Sequence, residues 1–230
     1  RPVERERRDP RRGKRPAHGR LAPGVVRRLG PLASHFARVA RDAKLKHIVV
    51  SLGGKVVRLN PPSTHLAEQG GDVEALGLYF SDAGQHLEQQ VFVHHDAPNT
   101  RSRVTYKGAL QGEGARSVWI GDVLIGNAAV GTDSYEQNRN LVLTDGTRAD
   151  SVPNLEIETG DIAGAGHASA TGRFDDEQLF YLMARGITED EARRLVVRGG
   201  FLVEIVQQIG SPELEERLIA ALEAELQGGS

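Results

Sequence analysis

A run of short apolar segments separated by turn residues is the feature that most limits how this chain can fold. The separators carry Gly, Asn, Asp or Pro, which supply the backbone dihedrals of tight turns. Each segment is rich in Val, Ile or Leu and predicts one β-strand, and the spacing is typical of a sandwich, a barrel or a solenoid. The pattern does not choose among the three. The segments are KHIVVSLGG, KVVRLN, VEALGLYF, LEQQVFVHH, SRVTYKGAL, ARSVWIGDVLI and NLVLTD.

The hydrophobic period changes to that of a helix after Thr171. The first predicted helix ends at Arg185, before Gly186, and the second runs through Val197. A third helix carries leucines at four-residue spacing between positions 214 and 226. The capping residues that predict the three helix starts are Asp175 or Asp176, Thr188 with Glu191, and Ser211 followed by Pro212.

Charge is distributed unevenly along the chain. Residues 1–34 contain 11 Lys or Arg and 3 Asp or Glu, whereas the remainder carries 18 basic and 28 acidic residues. The basic segment has few large apolar side chains and cannot offset its ordering entropy by burial, so we expect residues 1–34 to be disordered. A basic arm can also bind nucleic acid through phosphate contacts. Because no aromatic residues are interleaved with the basic ones, a solvated tail is the preferred interpretation.

Composition excludes several kinds of site. The 230 residues include no cysteine, which excludes disulfides, thiolate nucleophiles and thiolate-only metal sites within this chain. No apolar run reaches the roughly 20 residues that span a bilayer, and no secretory signal is recognisable. We therefore expect a cytoplasmic protein without membrane partners. The glycine-rich stretches lack the Lys-Ser/Thr ending of a phosphate-binding loop, so this chain is not expected to hydrolyse ATP.

Four carboxylates suggest an alternative enzymatic function. Paired carboxylates at a defined separation are what glycoside hydrolysis requires. Asp133, Glu136 and the pair Glu156 and Glu158 are the candidates, and the last two share a strand face at two-residue spacing. Alternating charge on an exposed strand explains the same pattern. A carbohydrate-active enzyme is therefore kept as an alternative function.

A short polar run, His94, His95 and Asp96, suggests a metal site at first sight. Neighbouring side chains on a strand point to opposite faces, however. His94 and His95 are therefore not expected to share one metal ion, and a hydrogen-bonding role near the end of a strand is preferred.

Several blocks, in order along the chain, resemble the SufB and SufD proteins of iron–sulfur cluster assembly. They are HFARVARDAKLKHIVVSLGG, VHHDAPNTRSRVTYKGAL, VWIGDVLI, TDSYEQNRNLVLTDG and PNLEIETGDIAGAGHASATGRFDDEQLFYLMARGI. The resemblance covers about residues 35–226. It is closer to SufD, because the run GHASATGRFDDEQLFYLMARGI looks more like SufD than SufB, and because SufB usually has a core cysteine, which this chain lacks. It implies a mainly β fold, with a right-handed parallel β-helix over residues 35–172 and a small C-terminal α-helical domain over residues 173–230. It also implies that the usual family chain has an N-terminal region which this sequence lacks.

The same resemblance implies a function. The chain is expected to be a non-catalytic subunit of the SUF scaffold complex, supporting cluster assembly and iron acquisition. The implied partners are a SufB-like paralogue, or a second copy of this chain where SufB is absent, and a SufC-like ABC-type ATPase. An iron–sulfur cluster is expected to be transient and shared with the partner, and not to be bound stably by this chain alone.

His167 is the residue for which the resemblance implies a role as an iron or cluster ligand. It lies in GAGHASATG, where small neighbours predict a turn and leave the ring accessible. A neutral imidazole is a competent iron ligand. The residue aligns with the SufD histidine implicated in cluster assembly. SufD proteins often carry a cysteine two residues earlier, where this chain has Ala165, so the thiolates are expected to come from the partner subunit.

The resemblance also implies two contacts for the helical tail. Part of its apolar surface is expected to pack on the end of the β-helix, and part is expected to bind the ATPase. The residues of this surface are Leu179, Phe180, Leu182, Phe201, Ile205 and Ile209.

Overall fold

The computed structural model describes residues 34–173, 176–197 and 201–228. Residues 1–33 of the basic segment lie outside these ranges, and so does Asp175. The described residues form ten β-strands followed by four helices. The strands are β1 Ser34–Val39, β2 Lys44–Leu52, β3 Val56–Leu66, β4 Asp72–Ser81, β5 His86–His95, β6 Arg101–Leu110, β7 Arg116–Ile125, β8 Asp133–Val142, β9 Arg148–Ile157 and β10 Gly164–Arg173. The helices are α1 Asp176–Met183, α2 Glu189–Val196, α3 Val203–Gln207 and α4 Pro212–Gly228.

The strands alternate between two parallel sheets. Odd-numbered strands form one sheet in the order β1-β3-β5-β7-β9, and even-numbered strands form the other in the order β10-β8-β6-β4-β2. We call these the odd sheet and the even sheet, and we call the sides on which they face each other their inner faces. Each strand pairs with the strand one turn later, and β6 pairs with β8 in unbroken register from Arg101 to Leu110. This arrangement is a parallel β-helix followed by helices, which confirms the predicted fold class.

The inner faces of the two sheets enclose an apolar core that includes the fully buried rings of Tyr79, Tyr106 and Trp119. Glycines on neighbouring strands make room for the two tyrosines. A Cβ atom at Gly77 would overlap the Tyr106 ring, and one at Gly108 would overlap the Tyr79 ring. Neither glycine has a positive φ, so their role is close packing and not turn formation.

Replacement of Gly108 by Ala is therefore expected to destabilise the fold. The added methyl group must displace a ring that is fully buried, and overpacking of this kind costs about 1–3 kcal/mol. Chemical denaturation of the two proteins measures the difference in the free energy of unfolding. Gly172→Ala is the matched control, because a Cβ there meets no atom within 4 Å. Equal destabilisation by both substitutions would contradict the packing role of Gly108.

The helices pack on the side of the β-helix and not on its end. Apolar residues on the outer face of the even sheet form a second core with the last helices, so the predicted packing on the β-helix end is wrong. The physical reason is that the outer face of β2 and β4 is apolar and would otherwise face water. Buried Lys107 of β6 pairs with Glu204 of α3 across this junction. The second core contains Leu52, Leu76, Leu78, Phe80, Ala109, Leu143, Val197, Leu202, Ile205, Val206, Leu218 and Leu222.

Two predicted helix starts agree with the structure, whereas one helix end and one strand start differ from it. The helix predicted after Ser211 is α4, and it begins at Pro212 as expected. At the start of α2, the amide of Glu191 donates to Thr188 Oγ1 at 3.3 Å, which is one of the two hydrogen bonds of the predicted capping box. The first helix ends at Met183, two residues before the predicted end, and Gly186 follows with a φ of 85°. The strand predicted at NLVLTD starts too late in the chain, because β8 already begins at Asp133.

Candidate functional site

His167 lies in a strand and not in the predicted turn. It is the fourth residue of β10, which pairs with β8 without interruption from Gly164 to Arg173. The segment is rich in Gly, Ala and Ser, which suggest turns by composition alone. Parallel pairing with β8 supplies the backbone hydrogen bonds that hold these small residues extended, so tertiary context overrides local preference.

The side chain of His167 belongs to the inner face of the even sheet. Alternation along β10 places Ala165, His167 and Thr171 on one face. Thr171 Oγ1 accepts a hydrogen bond from the inward-facing Asn140 at 3.4 Å, and Ala165 packs against the inner core. β10 is the outermost described strand of its sheet, and His167 is exposed. The imidazole therefore stands at the open end of the β-helix interior.

Glu136 is the register partner of His167 on the preceding turn. Glu136 is only 1% exposed, and neither of its carboxylate oxygens has a hydrogen-bond partner among the described residues. A carboxylate oxygen of Glu136 occupies the space that a Cβ atom on Gly121 would need, and the Trp119 ring lies beside it. Burial, and secondarily the negative charge of Asp122, raise the pKa of Glu136 to about 7. A carboxylate without partners is expensive to bury, which makes Glu136 unusual among the interior groups.

The polar residues next to Glu136 on β8 are satisfied, in contrast. Tyr79 donates to Asn140 Oδ1 at 2.5 Å, and Asn138 Nδ2 donates to the Tyr79 hydroxyl at 2.9 Å. Asn140 Nδ2 also donates to Asn138 Oδ1 at 2.9 Å. The loss of hydration on burial raises the pKa of Tyr79 well above its usual value. Only the carboxylate of this row on β8 lacks a partner among the described residues.

Sequence reasoning missed the inward orientation of Glu136. The signal was present, because Glu136, Asn138 and Asn140 follow each other at two-residue spacing and must share a face. A row of polar residues is normally assigned to the solvent side of a sheet. In β8 the row instead points into the β-helix, where Asn138 and Asn140 bind the Tyr79 hydroxyl.

His94 and His95 lie on opposite faces of β5, as the alternation of side chains requires. His95 is fully buried between Thr100 Oγ1 at 2.8 Å and Ser102 Oγ at 2.9 Å. Burial, with a smaller contribution from His94, lowers its pKa to about 4. His94 stacks on His65 with ring centroids 5.0 Å apart, and Asp96 lies 3.0 Å from His65 Nε2.

The carboxylates considered for glycoside hydrolysis do not share one site. Asp133 binds Arg103 on the outer side of β8, while Glu136 faces the interior. Glu156 is exposed on the outer face of β9. Glu158 follows the end of that strand and accepts hydrogen bonds from the backbone and side-chain nitrogens of Asn127, each at 3.2 Å. No pair of these groups flanks a common cleft.

Within the described ranges, no group of three or more His, Asp or Glu side chains is arranged to hold a metal ion. A metal bound at His167 would therefore need ligands in addition to those that the described residues supply. None of the described helices is long and apolar enough to cross a membrane.

The helical tail exposes part of its apolar surface. Phe180 is 74% exposed, and Tyr181 and Met183 on the same helix are also exposed. Ile205 is buried in the second core, whereas Leu179, Phe201 and Ile209 pack at its edge. The predicted apolar surface therefore divides into a part that packs in or against the second core, which includes Leu179 of α1, and an exposed part around Phe180, while Leu182 is half-buried.

Comparison with known proteins identifies the family. Residues 30–200 match the family model described as SUF system FeS cluster assembly, SufBD core domain. An iron–sulfur cluster assembly SufBD family protein of Mycobacterium tuberculosis is 61% identical over 202 residues, which cover 85% of this chain and 50% of that protein. A second SufBD family protein of the same bacterium is 32% identical over 178 residues, covering 77% of this chain and 21% of that protein.

The iron–sulfur cluster assembly protein SufD of Escherichia coli is 29% identical over 204 residues, covering 87% of this chain and 47% of SufD. The chain thus spans about half the length, or less, of these curated relatives. The family model covers most of the chain, including the strands that carry Glu136 and His167. This chain belongs to the SufBD family of iron–sulfur cluster assembly proteins.

Proposed function

We propose that this chain is a non-catalytic subunit of a cytoplasmic SUF scaffold complex, in which it supports iron–sulfur cluster assembly and iron acquisition. The observation that carries the proposal is the position of His167, an exposed imidazole on the outermost strand of the even sheet. A ligand at an open end can be shared with a second subunit.

The partner at this end is a SufB-like paralogue. β9 and β10 are the last strands of their sheets, so each presents a row of backbone groups that no described strand pairs. Such edges favour pairing with a similar sheet. The occurrence of two SufBD family proteins in one bacterium supports a paralogous partner, and a second copy of this chain would use the same edges where the paralogue is absent.

The sulfur ligands of the cluster come from the partner. This chain has no cysteine, and the residue two positions before His167 is Ala165. His167 therefore supplies nitrogen to a mixed-ligand site, and histidine replaces cysteine in known clusters. The cluster is cargo, held while both subunits contribute ligands and released when their interface changes.

The ATP-hydrolysing partner is a SufC-like ATPase that binds the exposed apolar part of α1. Phe180 and Tyr181 lie on this surface, and the Arg185 guanidinium lies 4.2 Å from the Tyr181 ring centroid. Removal of the whole tail would not test this contact. Truncation after Gly172 would uncover Leu76, Leu78 and the rest of the second core, and the shortened chain would misfold for that reason alone.

Co-purification tests the proposed complex. Co-expression with SufB-like and SufC-like proteins is expected to yield a complex of all three, and Phe180→Ser in this chain is expected to lose the ATPase but retain the SufB-like subunit. Val56→Ser is the matched control, because it also removes an exposed apolar side chain, at the start of β3. Failure of the wild-type chain to associate with a SufB-like protein would contradict the proposed function. Normal ATPase binding by the Phe180 variant would contradict only the docking site.

A further inference from the structure

We propose that Glu136 is a second iron ligand of this chain, which binds ferrous iron together with His167 at the open end of the β-helix. The inference rests on the proposed function and extends it, because it assigns the chain a two-residue binding site for the iron that the complex uses. It starts from the unusual state of Glu136. Both of its carboxylate oxygens are buried and lack hydrogen-bond partners among the described residues.

The two side chains can reach one ion. Glu136 and His167 are register partners on adjacent parallel strands, which lie about 4.8 Å apart. Both belong to the inner face, as the contacts of Ala165 and Thr171 show for β10 and the burial of Asn138 and Asn140 shows for β8. Side chains at such positions project side by side. Rotation of the Glu136 side chain from Gly121 towards β10 would let a carboxylate oxygen and the imidazole nitrogen bind one ion.

The chemistry of the pair suits ferrous iron. Imidazole and carboxylate are the ligand types of non-haem iron(II) sites, and such sites keep open positions for other ligands. Two protein ligands leave room for groups from the partner subunit, in keeping with the absence of a larger metal-binding cluster among the described residues. The surroundings of Glu136 also accommodate its carboxylate in the interior. Gly121 leaves space for the Glu136 carboxylate, and the Trp119 ring packs beside it.

His167 is the inner-face residue that follows Glu136 towards the open end of the even sheet. β10 is the last described strand of the even sheet, and the inner-face residues beside His167 on this strand are the small Ala165 and Ser169. An ion that arrives from solvent or from a partner meets the exposed imidazole first and the carboxylate second. The two residues thus connect the surface with the interior of the β-helix, whereas an outer-face carboxylate such as Glu156 lies outside that interior.

Anaerobic equilibrium dialysis of the full chain against Fe(II) alone tests the inference. Wild-type protein is expected to bind one Fe(II), and Glu136→Gln is expected to raise the dissociation constant at least about tenfold, since even residues that only support a ligand change metal affinity by 10–100-fold. His167→Ala is expected to weaken binding at least as much. Glu156→Gln is the matched control, because it makes the same chemical change on the exposed outer face of β9.

Each outcome is informative about a different claim. Unchanged Fe(II) binding by the Glu136 variant, with loss in the His167 variant, would overturn the role of Glu136 and leave the proposed function intact. No Fe(II) binding by the wild-type chain would also overturn the inference, because two ligands of this chain are what it states. The proposed function fails separately, if the chain does not associate with a SufB-like partner. Glu136→Gln retains the volume of the side chain, so circular dichroism is expected to show a normal fold.

Discussion

Replacement of His167 by Ala is expected to remove most of the iron and sulfide from the purified complex while leaving its subunit composition unchanged. The side chain is exposed and makes no hydrogen bond to the described residues, so its loss should alter stability by less than about 0.5 kcal/mol. It is the chain's ligand at the open end in the proposed function. Iron and acid-labile sulfide, measured after anaerobic purification at equal subunit stoichiometry, give the result directly.

Ser169→Ala is the matched control for this experiment. Ser169 lies two residues further along β10, on the same inner face, and is also exposed. The control therefore alters the same edge without removing a nitrogen ligand. His95 would be a poor control, because it is buried and hydrogen-bonded to Thr100 and Ser102. If the His167 and Ser169 variants retain equal iron and sulfide, His167 is an ordinary strand residue and the shared-ligand site is wrong.

Much of the β-helix could be predicted from the sequence because its strands are short apolar runs with turn residues between them. Six of the predicted segments lie on β2 to β7. The pairing of strands could not be predicted in the same way. Strand β6 pairs with β8 and not with its neighbour in sequence, and a hydrophobic pattern of period two is equally compatible with either partner. The resemblance to a known family, and not the pattern, distinguished a solenoid from a sandwich.

The end of the β-helix was the least predictable part, for two physical reasons. Small residues such as Gly164 and Gly166 have weak local preferences, so the extended form of β10 depends on the backbone of β8. The inner face of β8 carries Glu136, Asn138 and Asn140, which by polarity belong on the surface. His167 was found through family resemblance, but its orientation and its buried neighbour required the three-dimensional arrangement. The place where local rules fail is also the place proposed for function, as expected of binding sites.

Replacement of Glu136 by Gln is expected to stabilise the protein strongly at alkaline pH. The folded-state pKa of Glu136 is raised to about 7 from a usual value of 4.5. The folded protein therefore binds a proton that the unfolded chain releases between these two values. The contribution of Glu136 to the free energy of unfolding is fully present below pH 4.5. It falls as the pH rises towards 7 and stays low at higher pH. At pH 8 the raised pKa lowers the free energy of unfolding of the wild-type protein by about 3 kcal/mol. The amide side chain of the Glu136→Gln variant is neutral at every pH, so the variant does not lose this free energy.

Two other buried groups change stability in the opposite direction. Burial lowers the pKa values of His47 and His95 to about 4, so protonation of the unfolded chain destabilises the fold as the pH falls below 6.5. The wild-type profile combines both effects. The difference between wild type and Glu136→Gln isolates the carboxyl group, because the histidines are unchanged in both proteins.

Urea denaturation of the metal-free proteins at pH 5 and pH 8 measures this difference. The gain in unfolding free energy from Glu136→Gln should be small at pH 5 and should approach 3 kcal/mol, to order of magnitude, at pH 8. Glu156→Gln, on the exposed outer face, should give no such change. An equal gain at both pH values would show that the carboxylate is not destabilised by its site. A substitution that raises stability and weakens Fe(II) binding together would instead mean that Glu136 is retained for binding, because its charge opposes folding and is stabilised only when a cation is present.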